Sequence, residues 1–360
     1  MQIVFVETGP IENEFFGNEF GEVTVCENLE YCPEDAEVLC ISVASKIDAA
    51  FLAAHRKLRL IATRSTTCDH INLKACADRL IAVCNVGAGY GDHTVAEHVF
   101  ALLLALSRRL RPAMEAMNGR MFSYESLRGA ELHGRTLGVI GTGRIGRQVL
   151  RLGKAFGMHI AGCDTHRDAA AAAEIGFRYV TFQRLLKLAD FISVNVPLTR
   201  STYHLFNHEA FAKCRHGLIL VNTARGPVID SEALVEALDS GIVAGAGLDV
   251  LEDERVMRKR ADHILTDQIV AHLREEFPPV EPLPLNVDRV SEVRSLLHHS
   301  ALLGHPNVIV TPHIAFNSYE AVARINRTTA ENIHAFLSGK PQNLVGPPKR
   351  SAIPRKPARM

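Results

Sequence analysis

"VIGTGRIGRQ", Val139–Gln148, follows an apolar stretch and sets three glycines, Gly141, Gly143 and Gly146, into six positions before the pattern turns helical. Between a strand and a helix, G-x-G-x-x-G has a physical reading: the first glycine permits a tight turn, the second lets the backbone approach a pyrophosphate, and the third lets helix and strand pack closely. Alone the motif is weak. It gains force from Asp164, which ends the next strand candidate, "MHIAGCD", about twenty residues on, where a carboxylate accepts hydrogen bonds from the adenosine ribose hydroxyls. That carboxylate repels a 2′-phosphate, which favours NAD over NADP as the cofactor.

Outward from this loop, "RTLGVIG", "MHIAGCD", "DFISVNVP", "GLILVNTARG", "VAGAGLDV" and "NVIVTPH" are strand candidates separated by helical stretches, the requirement of a doubly wound dinucleotide-binding sheet. The first hundred residues carry a separate alternation of short strands ("IVFV", "EVTVC", "EVLCISV", "LRLIAT", "IAVCN") and helical pieces around Ala49–Lys57 and Leu73–Asp78, a second α/β unit with a parallel sheet. In "DHTVAEHVFALLLALSRRL", Thr94 followed by Glu97 fits a capping box at the start of a buried helix. A final helix near Tyr319–Leu337 has no strand left to serve and is expected to return to the first domain. The expected division is a substrate domain of 1–98 and 314–345, and a dinucleotide-binding domain of 99–313 with an insertion at 255–306. The proline-rich basic tail, 346–360, is expected to be disordered.

A 360-residue chain with 47% apolar and 22% charged residues and no formal net charge suits two globular domains, and gives no reason to expect a nucleic-acid or membrane partner. The start, "MQIVFVETGP", lacks the features of a signal peptide, and the longest apolar run, Val99–Leu106, is too short to span a bilayer; a cytoplasmic protein is expected. Eight cysteines are scattered with no C-x-x-C pair, so they read as small core residues. The histidines of the insertion, among them His263, His272, His298, His299 and His305, show no metal-ligand spacing, and no metal is expected.

A dinucleotide fold names no reaction; the residues beyond the carboxyl ends of its strands must. There the sequence is polar: Arg225 after "LILVNTA", Asp249 and then Glu254 after "AGAGL", His313 after "NVIVTP". A fork-shaped guanidinium at Arg225 can grip a carboxylate and polarise a neighbouring carbonyl. His313 can give a proton to a carbonyl oxygen or take it back, and Glu254, hydrogen-bonded to the imidazole, would orient it and favour its protonated form. Singly, each has a plainer reading, as a turn arginine, a solvated acid in "EDER" and a strand-end cap. Together they fit a carbonyl–alcohol interconversion.

With these residues in view, the chain resembles the D-isomer-specific 2-hydroxyacid dehydrogenases from about Leu58 to Leu344, through "TRSTTCDHINL", "YGDHTVAEH", "GVIGTGRIG", "NVPLTRSTYHLF", "NTARGPVID", "GLDVLEDE" and "TPHIAFNS" in order. The resemblance implies Arg225 and Glu254 as catalytic-site residues and His313 as proton donor. It implies cofactor contacts from Arg144, Ile145, Asp164, Val196, Pro197, Thr202, Thr223, Ala224 and Asp249, and backbone N–H groups at Thr66 and Thr67 for the substrate carboxylate. The implied fold is a Rossmann-type sheet plus a smaller flavodoxin-like α/β substrate domain, as a homodimer. Three departures stand out: Thr67 where many relatives have glycine, "NVGAGYG" one residue longer than the common "NVP-x-YG" form, which shifts Tyr90, and a Glu254–His313 interval longer than is usual in the family.

Phe316 resembles the aromatic that lines the side-chain pocket in the D-lactate dehydrogenase branch, with Tyr90 a second candidate, so a small apolar 2-keto acid such as pyruvate is expected. Glyoxylate or hydroxypyruvate reduction and phosphoglycerate oxidation are alternatives. From another class, the same fold serves as an NAD-sensing co-repressor, which would bind nucleotide without turnover.

Overall fold

The computed structural model describes residues 1–252, 254 and 287–346, with side chains from 295 onward in the last stretch. The chain forms two compact units, Met1–Gly91 with the segment from Asn317 onward, and Asp92–Phe316. The first boundary therefore falls earlier than the expected 98/99, and the second later than 313/314. The reasons are local. Asp92–Ser107 is one continuous helix whose Leu102 and Leu106 side chains meet Gly247 of the second unit, and Ile314 and Ala315 donate their N–H groups to Asp249. Because this helix starts at Asp92, Thr94 lies inside its first turn and is not the capping residue its spacing to Glu97 implied.

In the first unit, five parallel strands, β1 (Ile3–Val6), β2 (Thr24–Cys26), β3 (Val38–Ile41), β4 (Leu60–Thr63) and β5 (Ala82–Cys84), run in the order β2-β1-β3-β4-β5, the flavodoxin arrangement. β1, β3 and β4 are buried along their whole length, as expected of strands covered on both faces. Strand periodicity divides them: Val4 and Val6 pack with Leu39, Ile41 and Ile61 on one face, Ile3 and Phe5 with Val38 and Leu60 on the other. The second face is closed by Phe16 of the Pro10–Phe20 helix, whose ring stacks on Phe5 at 4.1 Å, and by Ile333 and Phe336 of the Tyr319–Leu337 helix. The last helix thus packs in the first unit.

In the second unit, β6 (Thr136–Ile140), β7 (His159–Cys163), β8 (Arg178–Tyr179), β9 (Phe191–Val194), β10 (Leu218–Asn222), β11 (Val243–Leu248) and β12 (Val308–Val310) form one parallel sheet ordered β12-β11-β10-β9-β6-β7-β8. This is the Rossmann order with a seventh strand at one edge; the two-residue β8 carries too little periodicity to be read from sequence. The glycines of "VAGAGLDV" serve packing: a Cβ on Gly247 would sit 2.9 Å from the Leu102 Cβ. The described part of the expected insertion is the Val287–Gly304 helix; its remainder, with His263 and His272, and the tail from 347 lie outside the described residues.

Among the described residues no helix is long and apolar enough to cross a membrane. All eight cysteines are free, and Cys26, Cys32, Cys40, Cys76 and Cys84 are buried. Burial pushes the Cys40 and Cys84 thiols up to about 12, so they act as packing groups.

Candidate active site

Strand register builds the site. Ile140 pairs with Cys163 and with Val194, Val194 with Asn222, Asn222 with Leu248, and Leu248 with Val310. The next residue of each strand, Gly141, Asp164, Asn195, Thr223, Asp249 and Thr311, therefore lies along one edge of the second unit's sheet. In a parallel sheet that carboxyl edge is where ligands bind, at the point where strand order reverses, here between β6 and β9.

The glycine loop fits a dinucleotide pyrophosphate. Gly141 adopts φ 86°, and a Cβ there would come within 2.5 Å of the Asn195 carbonyl oxygen. A Cβ on Gly146 would overlap the Gly141 carbonyl, whereas Gly143 has open space around it, at the N-cap of the Arg144–Ala155 helix. The free N–H groups of that helix start suit an anion. Thr223 Oγ1 and Asn195 Oδ1, on the same edge, are buried without a hydrogen-bond partner among the described residues, polar atoms left for a ligand to satisfy.

Asp164 braces this loop from the end of β7. Its Oδ2 accepts from Thr142 N–H (2.7 Å) and hydroxyl (3.1 Å), and its Oδ1 from His166 N–H (2.8 Å). Burial works to raise its pKa, but these donors outweigh it and hold the carboxyl below its ordinary value. Because the Thr142 proton goes to Asp164, the Tyr179 hydroxyl, 2.9 Å away, donates to Thr142 and in turn accepts from Asp168 N–H. Arg144 is drawn to Asp92 (Nε–Oδ2 2.7 Å), and Ile145 packs into the core beneath the loop. After β9, Val196 packs beside Gly141, and the Thr202 hydroxyl donates to Pro197 O (2.6 Å), folding that loop back on itself.

Asn222, the last residue of β10, is buried; its Oδ1 accepts from Ala224 N–H and its Nδ2 donates to Arg225 O, which fixes the loop through Thr223, Ala224 and Arg225. Arg225 in turn donates from Nη1 to Ala224 O (2.6 Å). Next to it, Gly226 admits a distant backbone segment: a Cβ there would overlap the Leu251 carbonyl and approach Glu252 N. This contact seats the Leu251–Glu252 backbone directly on the arginine loop. Leu251 N–H donates to Glu254 Oε1 (3.2 Å), and Glu254 Oε2 lies 3.0 Å from His313 Nδ1. A carboxylate only accepts, so Nδ1 carries the hydrogen and Nε2 is the ring nitrogen available for a reacting proton.

Asp249 organises the loop that presents His313. Its buried carboxylate accepts from the Thr311 hydroxyl (2.6 Å), Ile314 N–H (2.8 Å) and Ala315 N–H (2.8 Å), while its carbonyl accepts from His313 N–H (2.9 Å). The Thr311 proton is thereby committed, so His98 Nε2, 3.1 Å away, donates to the Thr311 oxygen. His313 is held at φ 57°, the left-handed region. Asn222, Thr311 and His98 also belong to the site; for Asn222 and Thr311 the sequence signal is a polar residue at the end of an apolar strand, and for His98, inside the Asp92–Ser107 helix, there is none.

In the first unit, the Thr66–Thr67 loop follows β4. The Thr67 N–H, expected to face a substrate, is donated to Ser65 Oγ at 3.0 Å, a closed hydroxyl turn, while Thr66 O accepts from Asn85 Nδ2. Tyr90 is half-buried and its carbonyl accepts from Arg324; Phe316, in the second unit, is also half-buried. Among the described residues, no group of three histidine, cysteine or acidic side chains is disposed to hold a metal.

Known proteins resemble this chain over most of its length. The family model for the D-isomer specific 2-hydroxyacid dehydrogenase NAD binding domain matches residues 100–315. The chain is 33% identical over 341 residues to the D-lactate dehydrogenase of Escherichia coli, covering 92% of this chain and 94% of that one. It is 35% identical over 317 residues to a glyoxylate reductase of Korarchaeum cryptofilum, covering 87% and 83%. Among solved structures, the D-lactate dehydrogenase of Aquifex aeolicus complexed with NAD and lactic acid matches with a TM-score of 0.77 and 31% identity over 94% of this chain and 96% of that one.

Proposed function

The chain belongs to the D-isomer-specific 2-hydroxyacid dehydrogenase family, and from that premise we propose that this NAD-dependent oxidoreductase reduces a small, pyruvate-like 2-keto acid to D-lactate or a close homologue. The observation that carries the reading is the 3.0 Å contact of His313 Nδ1 with Glu254, beside the arginine loop on the cofactor edge.

Bound NADH supplies the hydride that the carbonyl carbon gains. In our reading the residues of the chain do the rest. Arg225 grips the keto-acid carboxylate and polarises the carbonyl. His313 Nε2 gives its proton to the carbonyl oxygen, and Glu254 keeps the ring turned for that transfer. The Thr66–Thr67 main chain contributes to carboxylate binding, with the Thr66 amide the stronger candidate because that of Thr67 is engaged within the loop. The cofactor is held by Gly141, Gly143, Arg144, Ile145 and Gly146, by Asp164 at the adenosine ribose, and by Val196, Pro197, Thr202, Thr223, Ala224 and Asp249. Phe316 and, separately, Tyr90 are the proposed substrate-tail residues, and their aromatic character favours a small apolar group.

Exposed Met114, Met117, Met121, Phe122 and Tyr124, with Phe122 94% accessible, support a homodimer that covers this strip. Eight free cysteines support a reducing compartment, the cytoplasm. The test is NADH and NADPH oxidation against pyruvate, phenylpyruvate, 2-ketoisocaproate, glyoxylate, hydroxypyruvate and oxaloacetate, with chiral analysis of the product. Fastest turnover on pyruvate or a near homologue, giving the D-alcohol, is the expected result. Preference for glyoxylate or hydroxypyruvate would move the assignment to a reductase of those acids, and silence with NADH bound would favour the nucleotide-sensing role.

A further inference from the structure

Two residues before Glu254, Glu252 spends a largely buried carboxylate on contacts that the proposed reaction does not use. Its Oε1 lies 2.6 Å from His204 Nε2, its Oε2 accepts from the Ser231 hydroxyl (3.0 Å) and N–H (3.4 Å), and its carbonyl lies 2.6 Å from His299 Nε2. Withdrawing a carboxylate from water is costly unless its partners fix something in return. What they fix is the Leu251–Glu252 backbone. One side of that segment rests on Gly226, where no side chain fits; the other is tied by His204 and Ser231. Leu251 N–H then anchors the Glu254 carboxylate that touches His313.

His204 itself is built for the task. It is held at φ 47°, its N–H donates to Pro227 O within the loop that follows Arg225, its Nδ1 lies 3.4 Å from Asp230, and the Tyr203 ring stacks on it at 4.0 Å. The segment at 204 is thus bonded both to the arginine loop and to Glu252, which approach each other at Gly226.

We propose that His204 is a positioning residue: through Glu252 it sets the Leu251–Glu252 backbone whose Leu251 N–H holds Glu254, and so the orientation of the His313 ring toward substrate. This rests on the reading that Glu254 and His313 carry the proton transfer. A ring held a fraction of an ångström or a few degrees off its line of transfer lowers the maximal rate while leaving cofactor binding intact.

The test uses the full-length protein with NADH and its best keto acid. His204→Ala and Glu252→Gln are expected to lower kcat by about tenfold each, with the NADH dissociation constant unchanged. His204→Gln, which keeps an N–H donor toward Glu252, should recover most of the rate. The decisive readout is a double-mutant cycle: His204→Ala placed on Glu254→Gln should cost no further activity, because both act on the same ring. A purely structural role would lower the rate equally in both backgrounds, and that result overturns the proposal. So does wild-type kcat in His204→Ala and Glu252→Gln while Glu254→Gln is impaired. Wild-type turnover in Glu254→Gln would instead overturn the proton-transfer reading, and the positioning role with it. Should His204→Ala fail to fold, Glu252→Gln carries the same cycle.

Discussion

The two sheets share an architecture and differ at their carboxyl edges. In the first unit the polar groups at the strand ends tie neighbouring loops together: Ser42 donates to Glu7, the Arg64 guanidinium donates to the carbonyls of Val6 and Glu7, and Asn85 donates to Thr66 O. In the second unit the edge also knits loops together, through Asp164, Asn222 and Asp249, but each brace ends beside a reactive or ligand-directed group: the glycine loop, Arg225 and His313. A parallel sheet gives both edges the same invitation to bind. Whether chemistry follows depends on what the bracing residues hold out. The first edge offers main chain; the second adds side chains to it.

The sharpest way to break this contrast is His313→Ala. It should lower kcat for keto-acid reduction by about 10²-fold or more, with NADH titration by fluorescence unchanged; turnover near that of the wild type would remove the proton donor from the second edge. Asp164→Ala comes next. Losing a charge-assisted brace of the glycine loop should raise the KM for NADH about tenfold and narrow the preference over NADPH; an unchanged ratio would locate cofactor choice elsewhere. The sign of its pH dependence follows from the lowered folded-state pKa. The Asp164 contribution is complete above the ordinary value of 3.8 and is lost as pH falls through the lowered one. NADH affinity should therefore show no Asp164 transition above about pH 5. The smallest effect is expected on the first edge: Thr67→Gly, which removes a side chain where main chain is proposed to act, should shift the keto-acid KM by less than about threefold and leave kcat alone. A large loss of kcat there would erase the distinction between the edges.

Much of this was legible in the sequence because it is written locally. The glycine loop, the strand-end acids and the buried strands each declare themselves within a few residues, and the Tyr319–Leu337 helix was readable from its period. The Pro10–Phe20 helix escaped although Pro10 begins it and Gly21 ends it, since Gly17 and the scattered acids of "IENEFFGNEF" obscure the Phe16 face. The start of the Asp92–Ser107 helix is hard to read because "DHTVAEH" mimics a capping box two residues inside a helix that has already begun. What sequence could not reveal are contacts between distant segments: His204 with Glu252, Asn222 with its own loop carbonyl, and His98 with Thr311, 213 positions apart. No local pattern marks a histidine as a brace when its partner is set by how strands order themselves in the sheet.

The left-handed backbone of His313 has a consequence for how this protein responds to selection. An L-residue with a bulky side chain held in such a conformation costs about 1–3 kcal/mol, and glycine would carry almost none of that cost. Heat resistance and turnover therefore pull in opposite directions at this position: a library sorted only for survival at high temperature is drawn toward His313→Gly, and one sorted for rate is drawn back.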